Sequence, residues 1–164
     1  GFSRKGVATA LRAIVPHPGV FLLIAGRDKQ ARKYEKLASS LGVASRVRFL
    51  GPVAEVREVY GTADALILPT LYDPFPNVCV EALACGLPLM TSHGCGAAEW
   101  IEEGVNGWVR DALDSEGYQQ VITAWLTGRE QGTNYSAAAR ATAEPYTLDN
   151  MAKELQALYR DLLR

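Results

Sequence analysis

The sequence predicts an α/β domain in which a parallel sheet carries helices on both faces. Three observations predict it. Short apolar or alternating runs recur at 20–25, 46–50, 65–68 and 87–91, each too short for a helix and bounded by turn residues. The stretches between them, at 5–15, 30–41, 54–62 and 77–84, read as helices. Strands that alternate with helices are the pattern of a parallel sheet, because parallel neighbours need a crossover and the crossover helices cover the two faces.

The first helix is expected over 5–15, with Val7, Leu11, Ile14 and Val15 on one side, and Pro16-His17-Pro18-Gly19 then turns the chain. A buried strand follows at 20–25 and ends at Gly26. The helix over 30–41 turns Tyr34, Leu37, Ala38 and Leu41 inward, and Gly42 caps it. Residues 46–50 form the second strand, 54–62 a short helix and 65–68 the third strand. A proline-rich turn leads to the helix over 77–84, for which Asn77 is the N-cap candidate. A strand at 87–91, a helix at 96–103 and a short strand at 107–109 come next. The remainder reads as helical. Its last helix, 148–163, sets Leu148, Met151, Leu155, Leu158 and Leu162 in one stripe with Tyr159 beside it. That stripe is read as a packing surface, with docking on a partner domain as the alternative. No internal repeat or low-complexity segment is found.

At 164 residues the chain is long enough for one domain with its own core. Its 48% hydrophobic and 21% charged residues are ordinary for a soluble globular protein. A net charge of -1 gives no overall electrostatic reason to bind nucleic acid, and none is expected as a partner. No stretch has a signal-peptide pattern, and apolar runs such as 20–25 are far too short to span a bilayer. Cys79, Cys85 and Cys95 are odd in number and lack paired spacing, so free thiols in a reducing cytosol fit better than a disulfide framework. The chain starts at Gly1 without a methionine, and a helix opens at once after Lys5-Gly6, as though a preceding strand had been cut away. One domain, 1–164, excised from a longer protein is therefore expected.

Asp73 and Glu81 are the most informative pair. Asp73 sits in the turn after the third strand, and Glu81 falls in or just after the first turn of the next helix. Two carboxylates thus bracket a helix N-terminus, where free N–H groups and the helix dipole favour a phosphate. A ligand with both a diphosphate and hydroxyls would use all of this, amides for the phosphate and carboxylates for the diols. In parallel α/β sheets ligands bind beyond the carboxyl ends of the strands. Arg4-Lys5, Gly51-Pro52, residues 73–78 and Gly94-Cys95-Gly96 each follow a strand or precede a helix, so they can converge on one rim.

Blander readings compete. An isolated pair of carboxylates is more often a loop acid and a surface glutamate. A glycosidase pair needs two opposed carboxyls across a cleft, and nothing in the sequence places a second wall. Lys5 alone could be a surface lysine. Gly94-Cys95-Gly96-Ala97-Ala98-Glu99 is a poor dinucleotide fingerprint, because Glu99 stands where the third glycine belongs, so Gly94 and Gly96 are read as a tight turn at the rim. Cys79, Cys85, His93 and Cys95 invite a metal reading. Six residues along a helix, however, set Cys79 and Cys85 well apart in angle, and no metal site is expected. His93 is read as a loop residue near the site. Lys29, Arg32, Lys33 and Lys36 make a basic helix face, read as solvated, with weak attraction to anionic lipid as the alternative. Trp108 and Trp125 are read as core or interdomain packing, and Trp100 lies near the rim.

The order of motifs carries a resemblance over nearly the whole chain. It runs Arg4-Lys5-Gly6, Ile24-Ala25-Gly26, Val47-Arg48-Phe49-Leu50-Gly51 and Ala63-Asp64-Ala65-Leu66-Ile67-Leu68-Pro69. It continues through Asp73, Glu81-Ala82-Leu83-Ala84-Cys85-Gly86-Leu87-Pro88 and Gly104-Val105-Asn106-Gly107. This resembles the carboxy-terminal, donor-binding domain of retaining glycosyltransferases with the GT-B fold (family 4, or group 1). The fold implied is one Rossmann-like half of GT-B. Gly26-Arg27-Asp28-Lys29 and Asp73-Pro74-Phe75-Pro76-Asn77 are similar to stretches of bacterial lipopolysaccharide-core glucosyltransferases, which use UDP-glucose.

The resemblance implies roles. Glu81 would bind the ribose hydroxyls, Lys5 would neutralise the diphosphate, and Arg4 would add a second cation. Gly51 and Pro52 would lie against the base. Asp73 stands where a glutamate is usual, one methylene shorter, and would be the catalytic-site acid facing the donor sugar. Pro74 and Pro76 replace small residues and have no N–H, so amide donation falls to Phe75, Asn77 and Val78. The implied reaction transfers a hexose, glucose first, from a UDP-sugar to a lipopolysaccharide-core acceptor with retention. No cofactor or metal is implied. The implied partners are the UDP-sugar, a missing amino-terminal acceptor domain on which the last helix could dock, and a lipid-linked saccharide. The implied place is the cytoplasm, with peripheral contact at the cytoplasmic face of the inner membrane. The fragment alone is expected to bind nucleotide weakly and to be inactive. Two alternatives stay open: another donor, UDP-N-acetylglucosamine or GDP-mannose, or a non-catalytic Rossmann-like nucleotide-binding domain.

Overall fold

A computed structural model describes residues 1–163. The order of elements is α1 (Val7–Ala13), β1 (Leu22–Ala25), α2 (Ala31–Ser40), β2 (Val47–Gly51), α3 (Val56–Thr62), β3 (Leu66–Leu68), α4 (Asn77–Ala84), β4 (Leu89–Ser92), β5 (Gly107–Arg110), α5 (Ser115–Glu130), α6 (Tyr135–Ala143) and α7 (Leu148–Leu162). All strand pairs are parallel, as the alternation predicts. The single expected sheet is divided, however. β1 pairs with β2, and β3, β4 and β5 form a separate ladder in that order. The break falls between β1 and β3.

The side chains sort the sheet into two faces. Leu22, Ile24, Val47, Ile67, Met90 and Trp108 pack with α1, α2 and α5, while Leu66, Leu68 and Leu89 pack toward α4 and α6. Neighbours along β3 thus point to opposite sides, as strand geometry requires. Trp108 and Trp125 are buried in the larger cluster, so both are core.

Local chemistry sets the helix ends. Asp114, Asn134 and Thr147 each accept a hydrogen bond from a first-turn N–H and cap α5, α6 and α7. α4 lacks such a cap: its N-cap is Pro76, with Asn77 the first helical residue rather than the cap. The helix expected over 96–103 is a 3-10 turn, Gly96–Trp100. The Asn106 side chain ends it, because Oδ1 accepts from Glu102 N at 2.8 Å and Nδ2 donates to Trp100 O at 2.9 Å, which folds 101–106 into a loop.

α7 also departs from expectation. No residue of α7 is buried, and its apolar stripe, Leu148, Met151, Leu155, Leu158 and Leu162, is exposed. Just before it, Tyr146 stacks on Trp100 with ring centroids 3.8 Å apart. Lys29, Arg32, Lys33 and Lys36 are exposed, as a solvated face should be. No described helix is long and apolar enough to cross a membrane.

Candidate functional site at the carboxyl edge of the sheet

The site begins with the turn before α1. Gly6 has φ 75°, and a Cβ there would overlap the Pro69 carbonyl at the end of β3. Only glycine allows both the left-handed backbone and the close approach. The approach is stitched by backbone: Leu71 N donates to Arg4 O at 2.8 Å, and Thr70 Oγ1 donates to the same oxygen at 3.0 Å. Arg4 and Lys5 are thereby brought beside Asp73, which lies 68 residues beyond Lys5.

Both cations fall on one carboxylate oxygen. Lys5 Nζ donates to Asp73 Oδ2 at 2.5 Å and Arg4 Nη1 donates to it at 3.0 Å. Arg4 Nη1 also donates to Tyr72 O at 2.7 Å. Asp73 Oδ1 takes no hydrogen bond from any described residue. The Asp73 side chain is 12% exposed, against 29% for Lys5 and 49% for Arg4. Burial alone would raise its carboxyl, but the hydrogen bonds and charges of Lys5 and Arg4 outweigh it and hold the group below the ordinary carboxylate range. Two cations and one anion leave the cluster with a net positive charge.

The neighbouring loop holds Asp73 from the other side. Asp73 N donates to Gly94 O and Gly96 N donates to Asp73 O, both at 2.9 Å. A Cβ on Gly94 would meet the Leu71 carbonyl, and one on Gly96 the Pro74 carbonyl. The two glycines therefore serve close backbone approach, a more specific reason than a tight turn. Ser92 Oγ donates to Thr70 O, and Thr91 Oγ1 donates to Leu68 O at 3.0 Å, which ties the ends of β3 and β4 together.

α4 starts four residues after Asp73. Because Pro76 offers no side-chain cap, the N–H groups of Phe75, Asn77 and Val78 have no acceptor among the described residues. One turn on, Glu81 is exposed, and its Oε2 accepts from Tyr60 Oη on α3 at 2.8 Å. Burial, then the bond to Glu81 and its charge, push the Tyr60 phenol upward, so it remains a donor. Lys5, Tyr60 and Val78 line one cavity.

Beneath α4, the buried Cys79 and Cys95 thiols meet. The hydrogen bond from Cys79 is the largest influence on Cys95; burial opposes it, while Thr91 and the Ala97 amide reinforce it. The result holds Cys95 down at about 6, whereas Cys79 is pushed up. Cys85 is exposed. Among the described residues no group of three or more His, Cys, Asp or Glu could hold a metal ion.

Comparison with known proteins gives the family. Residues 2–142 match the family described as glycosyl transferases group 1. The chain belongs to that family. It is 33% identical over 73% of its length to the lipopolysaccharide core biosynthesis glycosyltransferase LpsE of Rhizobium meliloti. It is 31% identical over 93% of its length to the lipopolysaccharide glucosyltransferase WaaG of Escherichia coli. A D-inositol 3-phosphate glycosyltransferase of Mycobacterium marinum is 30% identical over 95% of the chain. The crystal structure of WaaG superposes with a TM-score of 0.81 over 90% of this chain and 41% of that one, at 32% identity. The chain spans 35% of LpsE, 42% of WaaG and 35% of the Mycobacterium marinum enzyme.

Within this glycosyltransferase domain the structure joins some predicted residues and leaves others apart. Arg4, Lys5 and Asp73 are bonded together, and Phe75, Asn77 and Val78 present free amides beside them. Phe75 packs edge-on to Trp100, with centroids 4.6 Å apart. Gly51 and Pro52 lie at the carboxyl end of β2; Gly51 O accepts from Gly26 N at 2.8 Å, and no hydrogen bond links them to the Lys5–Asp73 cluster among the described residues. Tyr60 was not anticipated. Its signal was a tyrosine on the apolar face of a short helix, where a buried hydroxyl requires an acceptor.

Proposed function

We propose that this domain grips the nucleoside diphosphate of a sugar donor and presents the sugar for transfer. Lys5, Arg4 and the free amides of α4 would take the diphosphate, and Glu81, aimed by Tyr60, would take the ribose hydroxyls. Asp73 Oδ1 is open to a hydroxyl of the sugar, while Oδ2 steers the two cations. Gly51 and Pro52 would sit against the base. The observation that carries this reading is the Lys5–Asp73–Arg4 cluster at the foot of an uncapped helix, with net positive charge where a leaving diphosphate would develop negative charge.

The donor we favour is UDP-glucose and the acceptor a lipopolysaccharide-core saccharide, with retention of configuration. The acceptor hydroxyl would attack the face that the nucleoside diphosphate leaves, and the cations and amides would stabilise the departing group. Side-chain cations would do this without a metal. Residues 1–164 would be the donor half, with an acceptor half elsewhere in the longer chain. The bare apolar stripe of α7 would dock on that half, in the cytoplasm and at the inner-membrane face. The domain alone would bind nucleotide weakly and transfer nothing. The similar identity to a D-inositol 3-phosphate glycosyltransferase favours keeping a second donor–acceptor pair in view.

Calorimetric titration of the full-length protein with UDP, GDP, ADP and NAD tests the donor class. Preference for UDP is expected. Preference for GDP would move the donor to a GDP-sugar, and preference for NAD, or no binding at all, would reject the transferase reading.

A further inference from the structure

The free amides of Phe75, Asn77 and Val78 sit on a turn that backbone bonds hold only at its ends. Asp73 is bonded to Gly94 and Gly96, and Pro76 O accepts from Cys79 N at 3.0 Å. Among the described residues no backbone hydrogen bond holds Pro74 or Phe75. The turn's remaining anchors are side chains. The Phe75 ring lies at 63° to the Trp100 ring, with centroids 4.6 Å apart. It passes over Gly96, where a Cβ would stand 3.3 Å from it. Val78 and Trp100 pack on the same apolar cluster.

Trp100 is itself held from two sides. Its carbonyl accepts from Asn106 Nδ2 at 2.9 Å, and the same Nδ2 donates to Thr142 Oγ1 on α6 at 2.7 Å. Asn106 is buried, so water does not compete for these bonds. The Trp100 ring stacks on Tyr146 at 3.8 Å and 19°. Tyr146 N in turn donates to Ala143 O at 3.0 Å, at the end of α6. Both holds on Trp100 therefore trace back to the end of α6. We propose that Trp100 is a positioning residue: braced by Tyr146 and Asn106, it holds the Phe75 ring and so sets where the amides of Phe75, Asn77 and Val78 point. This rests on the reading that those amides take a diphosphate.

A sugar platform fits Trp100 less well, because Tyr146 covers one face of the ring and Phe75 crowds it at a steep angle. The brace acts on one part of the ligand only. Amides that bind a diphosphate must point at it, since a hydrogen bond weakens steeply as its angle closes. Glu81 is held separately, by Tyr60 on α3, so loss of the aromatic ladder loosens the turn without moving the ribose contact. Aromatic pairs at these distances attract beyond the area they bury, which suits them to hold a turn that has no backbone bonds of its own. Tyr146 also immediately precedes Thr147, the cap of α7. The ladder thus joins the diphosphate turn to the root of that helix.

Calorimetry of the full-length protein with UDP and with uridine tests it, beside Lys5→Gln as the control for the diphosphate reading. Trp100→Leu keeps an apolar side chain and removes the stack. It should weaken UDP by about three- to tenfold and leave uridine unchanged, and Trp100→Phe should restore most of the loss. Tyr146 is 53% exposed, so Tyr146→Leu spares the core and carries the test if Trp100→Leu does not fold. It should weaken UDP by about two- to threefold. The double variant should bind no more weakly than Trp100→Leu, because Tyr146 acts through Trp100. Wild-type UDP affinity in the folded Trp100 and Tyr146 variants, beside a Lys5→Gln that loses UDP, would overturn the role of Trp100 and spare the diphosphate reading. Equal losses for UDP and uridine, or additive losses in the double variant, would overturn it as well. A Lys5→Gln that binds UDP as wild type does would remove the diphosphate reading and this role with it.

Discussion

Lys5 and Arg4 share a single acceptor, Oδ2 of Asp73, at 2.5 and 3.0 Å. The carboxyl is held below its ordinary 3.8 in the folded state, against the pull of burial, by those two cations. A depressed carboxyl contributes stability that is full above the unfolded value and is lost as pH falls through the folded one. Stability should therefore be flat near neutrality and decline below pH 3.8. Asp73→Asn should flatten that decline and, at neutral pH, destabilise by about 1–3 kcal/mol, since it leaves two adjacent cations without their anion. Urea melts of both proteins across the acid range check this.

Tyr60 aims Glu81 from a neighbouring helix. Tyr60→Phe removes one hydrogen bond from an exposed carboxylate that water can solvate. Stability should change by no more than about 1 kcal/mol, while UDP affinity should fall by about three- to tenfold. Glu81→Ala should weaken UDP further. Equal affinity for UDP in wild type and Glu81→Ala would remove the ribose role.

The glycines separate cleanly by surroundings. Gly6→Ala places a Cβ on the Pro69 carbonyl at φ 75° and should cost about 2 kcal/mol or more. Gly61, within α3, has nothing within 4 Å of a built Cβ and an ordinary φ. Gly61→Ala should stabilise by about 0.5–1 kcal/mol. Denaturant midpoints of the two variants should move in opposite directions.

If side-chain cations replace a metal at the diphosphate, a chelator should leave UDP affinity unchanged. Loss of binding in EDTA that magnesium or manganese restores would assign the charge to an ion instead.

Much of the fold was legible because its signals are local. Apolar runs of strand length, helical spacing around Tyr34 and Ala38, and the turn residues between them mark the alternation without reference to distant contacts. The misses need three-dimensional partners. Asn106 ends the turn at Trp100 through side-chain bonds that no periodicity shows. The stripe on α7 reads as a packing surface by pattern and stays exposed among the described residues. At the candidate site, the order of motifs singled out Asp73, Lys5 and Glu81, and the structure bonds the first two together. The Lys5–Asp73 bond spans 68 residues of chain, and Tyr60 reaches Glu81 across 21, so neither pairing could be read from spacing. Gly94 and Gly96 were visible as glycines, but their purpose depends on the carbonyls of Leu71 and Pro74.

The central claim is that the Lys5 cluster holds a diphosphate. The direct measurement is calorimetry of full-length wild type and Lys5→Gln with UDP and with uridine. Loss of one charge-assisted contact should weaken UDP by about tenfold or more and leave uridine unchanged. Equal UDP affinity in the two proteins, with the variant folded, would contradict it.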